Sequence, residues 1–327
     1  MKYAKSGAKA AAKTAFRGLV AATTTPFLPN GELDEAGIRS NMRMLTDVLK
    51  VDGVFCGGVM GEFWALTKEE RKRVTEITVE EATGKCLVIA HTGHHCADEA
   101  IELTRHAEGV GADYAILINP YYPPSTPDMM VNWFEYVCER VNIGVWLFDA
   151  LYSGVTLTPP VIARLAEIEN VCGIKVPRPH DYFAEVHRLV GDKIVVSHPN
   201  EGDFLPFVKE FGIQVHQSSA MPFLYQTAHQ QLFRDYSELA LEGKFDEAAP
   251  IAAKLKPLRE LNEKWIRRPW NEHQTIAVAN IKAWSEFLGM AAGPVRAPML
   301  QISPAAREEL HRDLEATGLL QQRPLAA

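Results

Sequence analysis

The chain has 327 residues, 47% hydrophobic and 23% charged, with a net charge of −7. This length supports a sizeable core, and the acidic balance argues against a basic nucleic-acid face. No apolar run is long enough to cross a bilayer, so neither nucleic acid nor membrane is expected as a partner.

Residues 1–15 set Lys2, Lys5, Lys9 and Lys13 among alanine, serine and glycine. No apolar signal-peptide centre follows, so they read as a basic flexible tail, at most weakly helical. Eight short apolar segments then recur: Leu19–Phe27, Gly53–Gly58, Cys86–Gly93, Tyr114–Pro120, Gly144–Ala150, Val171–Val176, Ile194–Pro199 and Gln214–Ser219. Their starts lie about 20 to 35 residues apart, the size of a β-α repeat. Helix-patterned stretches fill the gaps. Thr67-x-x-Glu70 is a capping-box signature, and Thr158-Pro159 sets an N-cap before a first-turn proline. Eight such repeats predict an α/β fold, a (β/α)8 TIM barrel over residues 16–236.

Beyond the barrel the pattern is helical only, over Phe233–Glu242, Lys244–Trp265, His273–Leu288 and Pro304–Thr317. Residues 237–327 are therefore expected to form a C-terminal helical extension. The cysteines are Cys56, Cys86, Cys96, Cys138 and Cys172. An odd number without a C-x-x-C pair points to a reducing, cytoplasmic location.

Barrel enzymes build their sites at the carboxyl ends of the strands. Lys175 ends the run Val171–Lys175, with Pro177 and Pro179 just beyond. Burial there lowers an ammonium pKa and leaves an amine able to attack a carbonyl. On the same rim fall His91, Asp149, Tyr152, Arg178, His198, His216 and Ser218. The Arg178 guanidinium could clamp a carboxylate or form a plain salt bridge. The histidines could move protons, bind a metal with Asp149, or be satisfied by separate hydrogen bonds. No short ligand motif supports a metal, and none is assigned.

Several motifs carry a resemblance: Gly58-Val59-Met60-Gly61-Glu62, Pro120-Tyr121-Tyr122, Cys172-Gly173-Ile174-Lys175 and Gly293-Pro294-Val295-Arg296-Ala297-Pro298. Over roughly residues 17–321 the chain resembles the dihydrodipicolinate synthase / N-acetylneuraminate lyase family. The resemblance implies a tetrameric or dimeric barrel whose lysine, Lys175, forms a Schiff base with a 2-oxo acid, usually pyruvate, without a cofactor. It also implies a carboxylate pocket at Gly58, Val59 and Met60, and a relay tyrosine, Tyr122, at a subunit boundary.

The chain departs from that pattern at the proton relay. Val59 and Met60 stand where the family places threonines, and Phe148 aligns with its main catalytic tyrosine. The arginine that binds substrate carboxylate in the synthase branch is missing near 152–153. A Schiff-base aldolase or hydro-lyase other than an ordinary dihydrodipicolinate synthase is expected. Tyr122, Tyr152, His198 and His216 are its candidate proton carriers. His91, Phe148, Asp149, Arg178 and Ser218 join the glycine-rich loop as candidate binding residues. The competing readings are a metal-dependent barrel using the rim histidines and a 2-oxo acid binding protein that has lost turnover.

Overall fold

The computed structural model describes residues 2–122 and 126–320, except the Ser218 side chain. Eight parallel strands alternate with helices. The strands are β1 (Gly18–Ala22), β2 (Gly53–Cys56), β3 (Leu87–His91), β4 (Tyr114–Ile118), β5 (Gly144–Phe148), β6 (Val171–Lys175), β7 (Val195–Ser197) and β8 (Val215–Ser219). Each lies inside its expected segment except β1, which starts one residue earlier, at Gly18. β1 to β7 pair in sequence order and β8 closes on β1. The seam between β7 and β8 is a single parallel bridge, His198 to His216.

The strands are buried on both faces, as a parallel sheet requires. Inward side chains form a cluster that includes Val20, Phe55, Ile89, Ile116, Trp146, Val195 and Val215. A Cβ at Gly173 would sit 2.4 Å from the Trp146 ring, so glycine there makes room for the indole. Outward side chains such as Ala21, Val54, Val88, Leu117, Leu147 and Ile174 pack into the main cluster with the helices. These are α2 (Glu35–Arg43), α3 (Lys68–Ala82), α4 (Ala97–Val110), α5 (Pro127–Glu139), α6 (Pro159–Leu165), α7 (His180–Val190) and α8 (Glu201–Phe211). The Thr67 capping box forms as read.

Residues 2–15 are not a flexible tail in solvent. Ala8–Ala15 is a helix, α1, with Ala8, Ala12 and the following Phe16 fully buried. It plugs the amino-terminal end of the barrel. Phe16 packs on Tyr114 and Trp146, with ring centroids 4.7 and 4.3 Å apart. Lys5 and Lys9 each donate at 2.6 Å, to the carbonyls of Cys138 and Ala166, and Lys13 donates to that of Asp192. Those carbonyls lie at or just beyond the carboxyl ends of α5, α6 and α7, where cations suit the helix dipole. Alanine spacing gave α1 a buried face, and its lysines found partners that local sequence does not reveal.

After α9 (Met221–Leu224) and α10 (Leu232–Leu241), the extension comprises α11 (Phe245–Ala253), α12 (Lys256–Asn262), α13 (Arg268–His273), α14 (Val278–Phe287) and α15 (Pro304–Ala316). The single helix expected over Lys244–Trp265 is broken. Pro257, in the first turn of α12, lacks the N–H that continuation would need. A π-turn, Glu263–Arg267, then joins α12 to α13.

A buried ion pair ties the extension to the barrel. Glu62 and Lys282 are 0% and 2% exposed, and their charged atoms are 2.6 Å apart. Lys282 also donates to the Pro294 carbonyl, and Glu62 accepts from the Arg296 N–H. Arg296 in turn forks onto Glu70 with two 2.7 Å bonds. Removing one member leaves the other charge buried, which costs about 3–5 kcal/mol. We expect Lys282→Met to lower unfolding stability in urea by about that amount. Adding Glu62→Gln should restore part of the loss, because the stranded carboxylate is then gone. Additive losses would show that the pair is not a unit.

Candidate active site

A cavity of about 420 Å³ opens at the carboxyl ends of the strands. Its floor is Ala22, Phe55, Phe148 and Lys175, all near the ends of barrel strands. Alternation along β6 turns Lys175 inward, the face away from Ile174 in the helix-facing core. Lys175 is 7% exposed, and burial alone pulls its amine down to about 7. The Nζ sits 4.3 Å from the centroid of the Phe148 ring and 5.8 Å from that of Phe55. Aromatic faces attract the cation while excluding the water that would otherwise solvate it.

Val59 and Met60 line one side of the cavity. The turn's later N–H groups are already used: Gly61 and Phe63 donate to Gly58, and Glu62 to Val59. Gly58 packs flat against Phe55, where a Cβ would approach to 2.4 Å. It shapes the turn without itself lining the cavity.

Arg178 and Tyr152 form another side. Asp149, fully buried, takes a two-point fork from Arg178, Nε at 2.6 Å and Nη2 at 2.8 Å, and accepts from the Leu157 N–H. Asp149 therefore aims Arg178 from behind, and Nη1 lies outside the fork. Tyr152 packs edge-on to Trp270 of α13 at 4.5 Å. Burial raises its hydroxyl pKa, while the Arg267 charge pulls the other way.

The histidines separate. His198 lines the cavity, and its Nδ1 accepts from the Asn200 N–H at 3.3 Å. Burial lowers its pKa, opposed by Asp203, whose carboxylate is 3.6 Å away. His216 lies one residue out of phase with the inward Val215 of β8. Its ring faces Phe204 and Phe233 in the helix layer, and its Nε2 bonds to the Pro199 carbonyl at 2.9 Å. Burial takes its pKa to about 3. His91 lies behind Phe63, with Arg71 at 3.2 Å from its Nδ1, and is held neutral by burial and that charge. Neither His91 nor His216 lines the cavity. Among the described residues no group of three or more His, Cys, Asp or Glu side chains is placed to hold a metal ion.

Tyr122 stands 70% exposed on the loop after β4, away from the cavity wall of its own chain. Ser218 falls on β8, but its side chain is outside the described part of the structure. The sequence reading missed the wall supplied by the extension, namely Asn262, Ile266, Arg267 and Ile281. Their only signal is a mixed apolar and basic run at Trp265–Arg268, which has no spacing rule.

A sequence model of the dihydrodipicolinate synthetase family matches residues 15–317. The 4-hydroxy-tetrahydrodipicolinate synthase of Methanothrix thermoacetophila is 34% identical over 293 residues, covering 88% of this chain and 92% of that protein. The crystal structure of dihydrodipicolinate synthase from Aquifex aeolicus superposes with a TM-score of 0.81 at 27% identity, covering 94% of this chain and all of that one. YagE, a prophage protein of E. coli K12 solved in complex with pyruvate, also gives 0.81, at 25% identity, covering 93% and 99%. The fold, the inward lysine and these likenesses agree: the chain belongs to the dihydrodipicolinate synthetase family, whose members are lyases of the class I Schiff-base type.

Proposed function

We propose that Lys175 forms an imine with pyruvate or a pyruvate-derived 2-oxo acid, and that the chain makes or breaks a bond at the carbon next to that imine. The carrying observation is the desolvated amine at the cavity floor, held near 7 among aromatic faces. The neutral amine adds to the ketone carbon and water leaves, giving a protonated imine. That cation draws electrons from C3. Either C3 loses a proton or its bond to C4 breaks, and the pair becomes an enamine. The enamine C3 then takes up a proton or a carbonyl electrophile, restoring the protonated imine, and water adds to its carbon to regenerate ketone and amine.

Phe148 cannot carry a proton, but its ring face supports the iminium charge. Proton transfer falls to the wall residues with titratable tips, Tyr152 and His198. Arg178 Nη1 is the donor offered to the substrate carboxylate. Without a hydroxyl at Phe148, Val59 or Met60, the relay differs from the family pattern. This supports a lyase other than an ordinary dihydrodipicolinate synthase. We further propose a cytoplasmic homo-oligomer, a tetramer or dimer, with Tyr122 at a subunit boundary. Its 70% exposed ring on a single chain supports that reading.

Borohydride reduction with pyruvate should add one ligand mass at Lys175, and Lys175→Arg should abolish it. Trapping should rise with pH through about 7, because only the neutral amine attacks; an ordinary lysine would titrate near 10.4. No adduct with any 2-oxo acid would end this reading. At least one of Tyr152→Phe and His198→Asn should lose about 10²–10⁴-fold in turnover while imine still traps. Imine without turnover in the wild type would favour a binding protein instead. Sedimentation at micromolar concentration should give a tetramer or dimer; monomer alone would refute the assembly.

A further inference from the structure

We propose that the π-turn of the C-terminal extension builds a second carboxylate subsite, in which Asn262 and Arg267 receive an acidic group at the far end of the substrate. This rests on the reading that Lys175 holds the 2-oxo end. Both residues line the same cavity as the lysine. Nothing in the barrel repeat predicts them, because they come from the extension.

Asn262 is 5% exposed, and its buried amide nitrogen has no hydrogen-bond partner among the described residues. A buried donor left unpaired is costly, and such groups in native proteins call for an explanation. Arg267 is a second donor, and among the described residues it has only a long ion pair. Its nearest carboxylate, Glu263, is 3.9 Å away, and its side chain is half exposed at 52%. Contrast Arg178, Arg259 and Arg296, whose guanidinium forks are filled by Asp149, Glu201 and Glu70 at 2.6 to 2.8 Å.

The backbone explains why these two donors share a wall. Arg268 N–H donates to the Glu263 carbonyl, an i→i+5 bond that marks the extra residue of a π-turn. In α geometry, residues five apart diverge around the helix. The wider turn brings Asn262, Ile266 and Arg267 to one surface. Single π-turns inside helices occur frequently at functional sites.

The chemistry selects the ligand class. Arginine is donor-only, and the unmatched atom of Asn262 is also a donor, so the missing partner is an acceptor. A carboxylate matches both. Asp203, which also lines the cavity, is engaged by Asn200 at 2.5 Å and faces His198. Arg267 lines the cavity together with Tyr152 and His198. An adduct anchored as an imine on Lys175 would thus carry a second carboxylate toward the extension.

Borohydride trapping tests this without requiring turnover. The probes are length-matched pairs: 2-oxoglutarate against 2-oxopentanoate, and 2-oxoadipate against 2-oxohexanoate. For at least one pair, the dicarboxylate should half-saturate trapping at about a ten-fold lower concentration. Arg267→Gln, a change at a half-exposed position, should erase that ratio. Asn262→Leu should reduce it, with thermal unfolding measured alongside. No preference in the wild type, or the same ratio in Arg267→Gln, would overturn the subsite. If no 2-oxo acid traps at all, the imine reading fails separately. Calorimetric binding of glutarate and adipate then decides the subsite. Binding by wild type that is lost in Arg267→Gln supports it, and absent or equal binding refutes it.

Discussion

Everything in this site depends on withholding water from one amine. An ammonium in solution titrates near 10.4 and is inert toward ketones at neutral pH. Lys175 reaches about 7 by burial, with aromatic faces in place of a hydration shell. That enclosure needs the barrel. Eight strands in parallel register bring Phe55, Phe148 and Lys175 to one inward layer, and Gly173 yields the space that Trp146 fills beneath. The extension then covers the cavity from above with Ile266 and Ile281.

The two parts of the chain are therefore one device. Glu62 marks the link. It adopts a left-handed conformation at the end of the glycine-rich turn, φ 55°, and its carboxylate is committed to Lys282 of α14. The turn that places Val59 and Met60 on the cavity is thus pinned by the helix next to the π-turn region. Position of the wall and stability of the extension are set by the same buried charges. Glu62 is thus a structural carboxylate, the reading its place near a helix start favours.

The repeat was legible because its signals are local. Apolar runs, a capping box and a first-turn proline all act within a few residues, and every strand fell inside its segment but β1, which starts one residue early. Lys175 was legible for the same reason, since a lysine ending a buried strand breaks the pattern. The histidines were only partly so. His198, just past β7, lines the cavity, but His216 is the second residue of β8 and turns into the helix layer, and Phe63 screens His91, which ends β3. Asn262 and Arg267 could not be read at all, because their place depends on a π-turn and on packing across more than 80 residues of chain. The lysines of α1 failed for a similar reason: their carbonyl partners are set by tertiary contact.

Those lysine contacts have a temporal side. Lys5, Lys9 and Lys13 reach partners 133, 157 and 179 residues further along the chain. During synthesis residues 8–15 leave the ribosome well before the helix ends that their lysines cap. Contacts of such sequence separation form late, after loop closure has been met by the barrel itself. A segment early in the sequence thereby depends on contacts that sequence separation makes late. In the folded chain Phe16 covers Tyr114 and Trp146, so late docking of α1 would leave that end of the barrel open until then. A growing chain is then most exposed to misassociation at the end opposite to its chemistry.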